Sequence, residues 1–496
     1  MKDKITMSSK IDNLFKSGQS TETLFYLISG IFIGLNVLFL LSGFYYFSLF
    51  SFALVLIWFA FFAYDKLFYF IIFLTPLSIP LSEFFRLPFD ISLPSEALMI
   101  VLTAVLIIKF FSGSSIPKKI ITHPVSLAIV FYLVWMFITS MLSSMPLVSF
   151  KFLLAKIWFI LPAYFFALLM FRKPQNMTLS LWLYIIPLLI VIFYTIGRHL
   201  GYGLYDKQAA HIVMDPFYND HTSYGAVLSM YWPVLLGFLF LPKTKTLQKT
   251  LVFVVLLIFS IALVLSYTRA AWISLVAALI FGLLVYLKVK IRYMLMVGLA
   301  VIAALFVYRF EIGDRLAKNK QDSSSNLDEH IKSMSNIATD ASNKERINRW
   351  NSAYKMFVEK PFAGWGPGTY MFQYAPFQMA RDKTIISTNF GEGGNAHSEY
   401  FSALIDSGVL GLISFLLIIY FVIRSAARTY NKSNDVSQKV LLLSVLVGLV
   451  SYLIHGFLNN FLDTDKASVP FWGFVAIIVS IDLSVQAQQK ITKHVD

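Results

Sequence analysis

His397 stands in the run Gly393-Gly394-Asn395-Ala396-His397-Ser398-Glu399-Tyr400, where a glycine-rich stretch meets a long apolar one. An imidazole there can take the proton of a hydroxyl group, because its ordinary pKa lies near neutrality; it can equally cap the start of the helix that the apolar run predicts. Arg269 closes the tight turn Ser266-Tyr267-Thr268-Arg269 between two apolar runs. Its planar fork of donors matches phosphate oxygens, and the plainer alternative is an interfacial anchor whose guanidinium snorkels to lipid headgroups. Arg198, Lys207, His211 and His221 share a polar stretch with Asn219 and Asp220, which reads as a set of anion donors or as a solvated loop. Arg346, Arg349 and Trp350 recur with Ala353, Tyr354, Met356 and Phe357 at three- and four-residue spacing, which predicts an amphipathic helix lying on a membrane surface. Pro361 and the run Gly364-Trp365-Gly366-Pro367-Gly368 end it, since proline removes a donor and glycine permits sharp turns.

Further ionisable residues fall inside apolar runs: Lys151 and Lys156 in one, and His455 with Asp463 near the end of another. Such groups either serve function or pair with one another inside a bundle. Trp350, Trp365, Tyr370 and Tyr374 offer flat faces to sugar rings or anchor the chain at an interface. Cysteine is absent, which excludes disulfides, thiolate catalysis and thiolate-bound zinc. No His, Asp or Glu spacing suggests a metal, so no metal and no cofactor is expected. No phosphate-binding P-loop and no nucleophile elbow occurs either, which argues against an ATP-driven pump.

The elements that must position these residues are membrane helices. Of 496 residues 57% are hydrophobic and 14% charged, and the mean hydropathy is +0.69, whereas a soluble domain carries about 25% charged residues. That much apolar surface needs lipid as part of its solvent. Runs of roughly 17–25 apolar residues suffice to cross a bilayer, and about fourteen are centred near residues 32, 54, 75, 103, 134, 161, 187, 231, 258, 280, 300, 412, 449 and 476. The expected fold class is therefore an all-α polytopic membrane protein with about 12–14 transmembrane helices. The first run follows a polar segment with Lys2, Lys4, Lys10 and Lys16 and has no small-residue cleavage site, so it reads as a retained helix.

Charge orients the chain. With a cytoplasmic N-terminus the inward loops hold most of the basic residues, among them Lys118, Lys119, Arg172, Lys173, Lys243, Lys245, Lys288, Lys290, Arg424 and Arg428. The short outward loops then hold only Arg86, Arg198, Lys207, Arg269 and Lys466, as the positive-inside rule requires. The expected organisation is a cytoplasmic tail over 1–21, transmembrane helices 1–11 over 22–310, a large outward loop with amphipathic helices over 311–398, helices 12–14 over 399–486 and a cytoplasmic tail over 487–496. Within the large loop, Lys318 to Ser342 is too polar to supply a core and is expected to be mobile.

Five signals stand in order: Ser266-Tyr267-Thr268-Arg269-Ala270-Ala271-Trp272; Glu345-Arg346 with Arg349-Trp350 and Ala353; Pro361-Phe362 with Gly364, Gly366 and Gly368; Ala396-His397-Ser398-Glu399-Tyr400; and Asp406-Ser407-Gly408 with Leu410-Gly411. In this order, within a polytopic chain, they resemble the O-antigen ligase and O-antigen polymerase superfamily of bacterial membrane glycosyltransferases. The resemblance spans roughly Asn219 to Asp465 and implies a GT-C-like helical fold in the bacterial inner membrane, with its active site facing the periplasm. It implies an inverting, metal-independent transfer of a glycan from undecaprenyl diphosphate to an acceptor hydroxyl. That acceptor is a lipid A–core sugar in a ligase, a second carrier-linked repeat in a polymerase and a protein in related members; ligase is the preferred expectation.

By position, Arg269 resembles the family arginine that holds the diphosphate, and His397 the histidine that acts as base or orients the acceptor. Arg198, Lys207, His211, His221, Arg346, Arg349, Lys156, Trp350 and Glu399 are further candidates for diphosphate or sugar contacts. Ser398 stands where the family often has Asn, and a second family arginine ahead of a Pro-Asn pair is replaced by His211 before Pro216 and Asn219-Asp220-His221. The second phosphate ligand is thus open among Arg198, Lys207 and His211. Expected partners are the lipid-linked donor, the acceptor and membrane lipids, with no nucleic acid. A transporter of lipid-linked glycan is the rival of another class; it would show repeated halves and broken helices, and no internal repeat is evident.

Overall fold

A computed structural model describes residues 18–43, 59, 63–83, 91–113, 116–242, 244–290, 292–294, 296, 341–380, 383, 387 and 394–495. The runs expected near residues 54 and 300, and the polar stretch from Lys318 to Asp340, lie outside the described residues.

The chain divides into two compact units, Met1–Tyr64 and Asp65–Asp496. The first contains α1, Gly18–Leu41, whose stretch Ser29–Leu41 is a shorter apolar helix. The second begins in α2, Tyr64–Leu74, which a 3-10 turn at Thr75–Leu77 cuts short where Pro76 removes a donor. The run centred near residue 75 is therefore not one continuous span. Beyond it, Ile79–Pro80 (β1) pairs antiparallel with Ser92–Leu93 (β2), Ile79 opposite Leu93.

The helices that follow are α3, Ser95–Phe111; α4, Pro124–Met141; α5, Pro146–Met170, with a π turn at Leu161–Phe166; α6, Pro174–Tyr202; α7, His221–Leu239; α8, Thr246–Leu265; α9, Arg269–Tyr286; α10, Ala341–Glu359; α11, Glu399–Lys432; α12, Val436–His455; and α13, Asp465–Val495. Among the described residues nine of these, α4 to α9 and α11 to α13, are long and apolar enough to cross a membrane. The protein is an all-α, multi-pass membrane protein.

The centre of the bundle is α12, packed between α7 and α9. A side chain at Gly448 would meet the Met230 carbonyl at 2.2 Å, and one at Gly282 would meet Val447 at 2.4 Å. Small residues let membrane helices approach closely enough for dispersion to hold them, since lipid supplies no hydrophobic drive between helices. At one end Asp482 ties three elements together: it accepts from Arg428 Nη2 at 2.5 Å and Thr429 Oγ1 at 2.7 Å, and lies 3.0 Å from His123 Nε2. A charge taken out of water persists only with such partners.

Helix α10 is the amphipathic helix that the Arg346 to Phe357 spacing predicts, and it ends before Pro361 as expected. The segment after it docks on a break in α11. Ser407 and Gly408 leave helical geometry there, with Gly408 at φ 69°, and the freed backbone groups are satisfied from outside: Trp365 N donates to Ile405 O at 2.8 Å, Gly366 N to Asp406 O at 3.0 Å, and Val409 N to Pro361 O at 2.9 Å. Trp135 Nε1 of α4 donates to Ser407 O at 2.8 Å. Non-helical backbone at this depth is tolerable because protein encloses and bonds it.

Candidate functional site

At the end of the bundle opposite Asp482 a cavity of about 580 Å³ opens between the start of α7, α10, the segment before α11, and the segment joining α12 to α13. Each wall has a local reason to be where it is. Asp220 caps α7, its Oδ1 accepting from Thr222 N at 2.6 Å and Ser223 N at 2.8 Å, so His221 begins the helix and lines the cavity. Helix α10 presents Arg346 and Arg349 to the same space, and His397 faces them from the loop before α11. The carboxylates Glu96, Asp463 and Asp465 line the same cavity, with Lys466 next to Asp465.

Arg349 is held rather than free. Its Nε donates to Glu345 Oε1 at 2.8 Å, its Nη1 to the Asn395 carbonyl at 2.9 Å, and its guanidinium lies 5.1 Å from the Tyr374 ring centre. These contacts fix a planar cation in place at little further entropic cost. Arg346 Nε donates to the Leu458 carbonyl at 3.2 Å, and its charge is felt at both His221 and His397.

His397 is half-buried, and its backbone lies in the left-handed region at φ 47°. Its amide donates to Asn395 Oδ1 at 3.1 Å, and Trp350 Nε1 reaches its carbonyl at 3.5 Å. Burial, with Arg349 and Arg346 beside it, pushes the imidazole down to about 3, so it is neutral at neutral pH. The capping alternative does not hold: Ser398 caps α11, its side chain accepting from Phe401 N at 3.5 Å. Tyr267, in the Arg269 turn, also has a positive φ, of 49°. Among the described residues only Tyr267, Lys288 and His397 do so without being glycine, and strain of this kind persists where the surroundings over-determine the conformation.

Arg269 is the first residue of α9 and half-buried. It is not part of the cavity lining, but its charge and that of Lys207 reach His221. Thr268 Oγ1 donates to the His221 carbonyl at 2.7 Å and fastens this turn to the cavity wall. His211 stacks face to face on His221, ring centres 4.0 Å apart and 4° from parallel. Arg269, Lys207 and His211 therefore gather around one cavity-lining histidine.

The remaining candidates are placed differently. Arg198 braces a loop, its Nη1 donating to the Asp215 carbonyl at 2.5 Å and to Tyr194 Oη at 3.2 Å. Trp350 packs its ring 5.8 Å from Phe401 and 5.7 Å from Phe457. Glu399 is a buckle: its Oε1 accepts from Phe461 N at 2.8 Å, Leu462 N at 2.9 Å and Tyr452 Oη at 2.6 Å. Lys156 Nζ donates to the Leu462 carbonyl at 2.6 Å. Both line a second cavity of about 40 Å³ with Asp406 and Asp463, roughly room for a water or two. Asp463 and Asn460 line both cavities, and burial raises the Asp463 carboxyl above the usual carboxylate range against the pull of Lys156.

Glu96 and Asp465 escaped the sequence reading, and Lys466 entered it only as a loop charge. Asp465 accepts from the hydroxyls of Ser78 and Ser95, while Lys466 Nζ donates to the Ser78 carbonyl at 2.7 Å. The available signal was a carboxylate in the first turn of an apolar helix, at Glu96 in α3 and Asp465 in α13. Among the described residues no three His, Cys, Asp or Glu side chains come together so as to hold a metal ion.

A multi-pass helical bundle with a cavity lined by both basic and acidic residues at one end is the class of protein these observations define. Residues 253–416, about a third of the chain, match the family model described as O-antigen ligase, and all five ordered signals fall within that stretch. On this segment the chain carries the domain of the O-antigen ligase and polymerase superfamily. The match is narrower than the span from Asn219 to Asp465 over which the motifs resemble that superfamily. It implies lipid-linked glycan and lipid acceptor as the general class of partners. No curated protein matches the chain.

Proposed function

We propose that the protein is an inverting glycosyltransferase that moves a glycan from undecaprenyl diphosphate to a hydroxyl of lipid A–core on the periplasmic face, as an O-antigen ligase. The observation that carries this reading is that His397, Arg346, Arg349 and His221 line one cavity, with Arg269 close enough for its charge to act on His221.

The basic side holds the diphosphate, Arg269 and Arg346 stabilising the charge that develops as it leaves. His397 accepts the proton of the acceptor hydroxyl once the bound diphosphate offsets the charge of Arg346 and Arg349, which in the empty cavity hold its imidazole neutral. The acceptor oxygen forms its bond to the anomeric carbon as the bond from that carbon to the phosphate oxygen breaks. The electron pair departs with the diphosphate, and attack from the opposite face inverts the centre.

The test is transfer by purified protein in detergent, given the lipid-linked donor and lipid A–core. Glycosylated lipid A–core, lost in His397→Ala and Arg269→Ala variants that still insert and purify, supports the ligase. Lengthening of carrier-linked glycan alone identifies a polymerase, and a protein product identifies a protein glycosyltransferase. Movement of donor that requires a sealed vesicle, without any transfer in detergent, identifies a transporter.

A further inference from the structure

We infer that the end of the bundle remote from His397 holds a binding site for an anionic phospholipid. A cavity of about 450 Å³ lies there, where the end of α5, the segment before α4, the starts of α6 and α12, the segment after α7 and the middle of α13 converge. Lys466 lines the His397 cavity and Ser484 lines this one. Eighteen residues of α13 separate them, about 27 Å of helix, close to the thickness of a bilayer's hydrocarbon core.

The site has the two halves that an amphiphile needs. Leu168, Phe171, Met177, Leu441 and Ile481 form apolar walls, while the exposed cations Lys119 and Arg172 stand among the lining residues. Neither cation pairs with a carboxylate among the described residues. One carboxylate, Asp435, shares the lining, but its Oδ1 is engaged in capping α12, accepting from Ser437 N at 2.8 Å and Gln438 N at 3.4 Å. Two cations against one capped carboxylate leave a net charge of +1, the complement of a single phosphodiester. Free phosphate or a nucleotide would find hydrocarbon where it needs donors, whereas a lipid satisfies both the walls and the rim. Basic pockets between transmembrane helices are known to take anionic headgroups, each cation near the surface contributing on the order of 1 kcal/mol.

The site is independent of the glycosyl-transfer reading, since it shares no residue with the His397 cavity. It bears on the same helices, however: α12 starts at this cavity and α13 passes it, so a lipid wedged here steadies the helices whose junction lines the other cavity.

Native mass spectrometry of delipidated protein titrated with phosphatidylglycerol or phosphatidylcholine tests the inference. Retention of phosphatidylglycerol over phosphatidylcholine is expected, with retention weakened about tenfold or more in a Lys119→Ala, Arg172→Ala double variant. Met177→Trp, which fills the cavity and leaves both cations, is expected to lose the lipid as well. Equal retention of the two lipids, unchanged retention in the double variant, or displacement of phosphatidylglycerol by millimolar inorganic phosphate overturns the proposal. Should the variants fail to fold, the comparison of the two lipids on the unmodified chain decides it alone.

Discussion

Thr268 and His221 are 47 residues apart, yet the Thr268 hydroxyl donates to the His221 carbonyl at 2.7 Å. This bond couples the turn that carries Arg269 to the helix start that lines the cavity, and Gly225, one turn into α7, makes room for it: a side chain there would meet Thr268 Cβ at 2.7 Å. Thr268→Val keeps the shape and removes the donor, so the half-buried His221 carbonyl loses this bond. A net loss of about 1 kcal/mol should lower transfer several-fold, while Thr268→Ser stays near the parent rate. Steady-state kinetics with donor concentration varied would show it.

Arg269→Lys separates charge from shape. A lysine keeps the positive charge but not the fork that grips two phosphate oxygens, so partial activity is expected, against a loss of roughly 100-fold or more for Arg269→Ala, the scale of a removed oxyanion donor. Full activity in both variants would place the diphosphate elsewhere.

The pH profile reads His397 directly. Its pKa of about 3 lies below the ordinary 6.5. Between those values the unfolded chain binds a proton that the folded chain does not, so this residue erodes stability as pH falls from 6.5 toward 3 and contributes nothing above 6.5. At limiting donor, where the rate reports the free protein, transfer by the parent should therefore show no acid limb near pH 6.5. Arg346→Gln removes one of the cations holding the imidazole neutral, and any acid limb should move upward in that variant; a limb near 6.5 in the parent would contradict the assignment.

Much of this was legible beforehand, because its causes are local. The apolar runs near residues 134, 161, 187, 231, 258, 280, 412, 449 and 476 all became membrane-length helices, since a bilayer leaves a long apolar run few other states. The spacing of Arg346, Arg349 and Trp350 likewise announced the helix α10, though Tyr354 of the same set is exposed and Glu345, Asn348 and Ser352 are buried. What stayed hidden depends on distant partners. Glu399 looked like a ligand beside His397 and is instead a buckle for the Phe461–Leu462 backbone, because side chains one and two positions apart leave a helix start in different directions. Arg198 looked like a phosphate ligand and braces the Asp215 loop. Asp465 and Glu96 come from opposite ends of the chain, and no local pattern announces that they share a wall.

Gly394→Ala offers a test of Arg349 that leaves Arg349 in place. An added methyl would lie 1.6 Å from Arg349 Nη1, and the guanidinium, the far end of a flexible side chain, must give way. Transfer is expected to fall at least about tenfold, one hydrogen-bonded charge being worth about 1.5–3 kcal/mol, whereas α10 keeps its packing through Ala353 and Met356. A melting temperature close to the parent's alongside low activity would distinguish displacement of the cation from general unfolding.

The break at Ser407–Gly408 makes the polar insertion and the eleventh helix interdependent. Backbone groups of residues 405, 406 and 409 find their partners on the segment 361–366, so neither piece completes its own bonding without the other. Chimeras that exchange the insertion between relatives must carry this stretch of helix with it. The backbone of α11 is thus fully bonded only when the loop made before it has docked on the break.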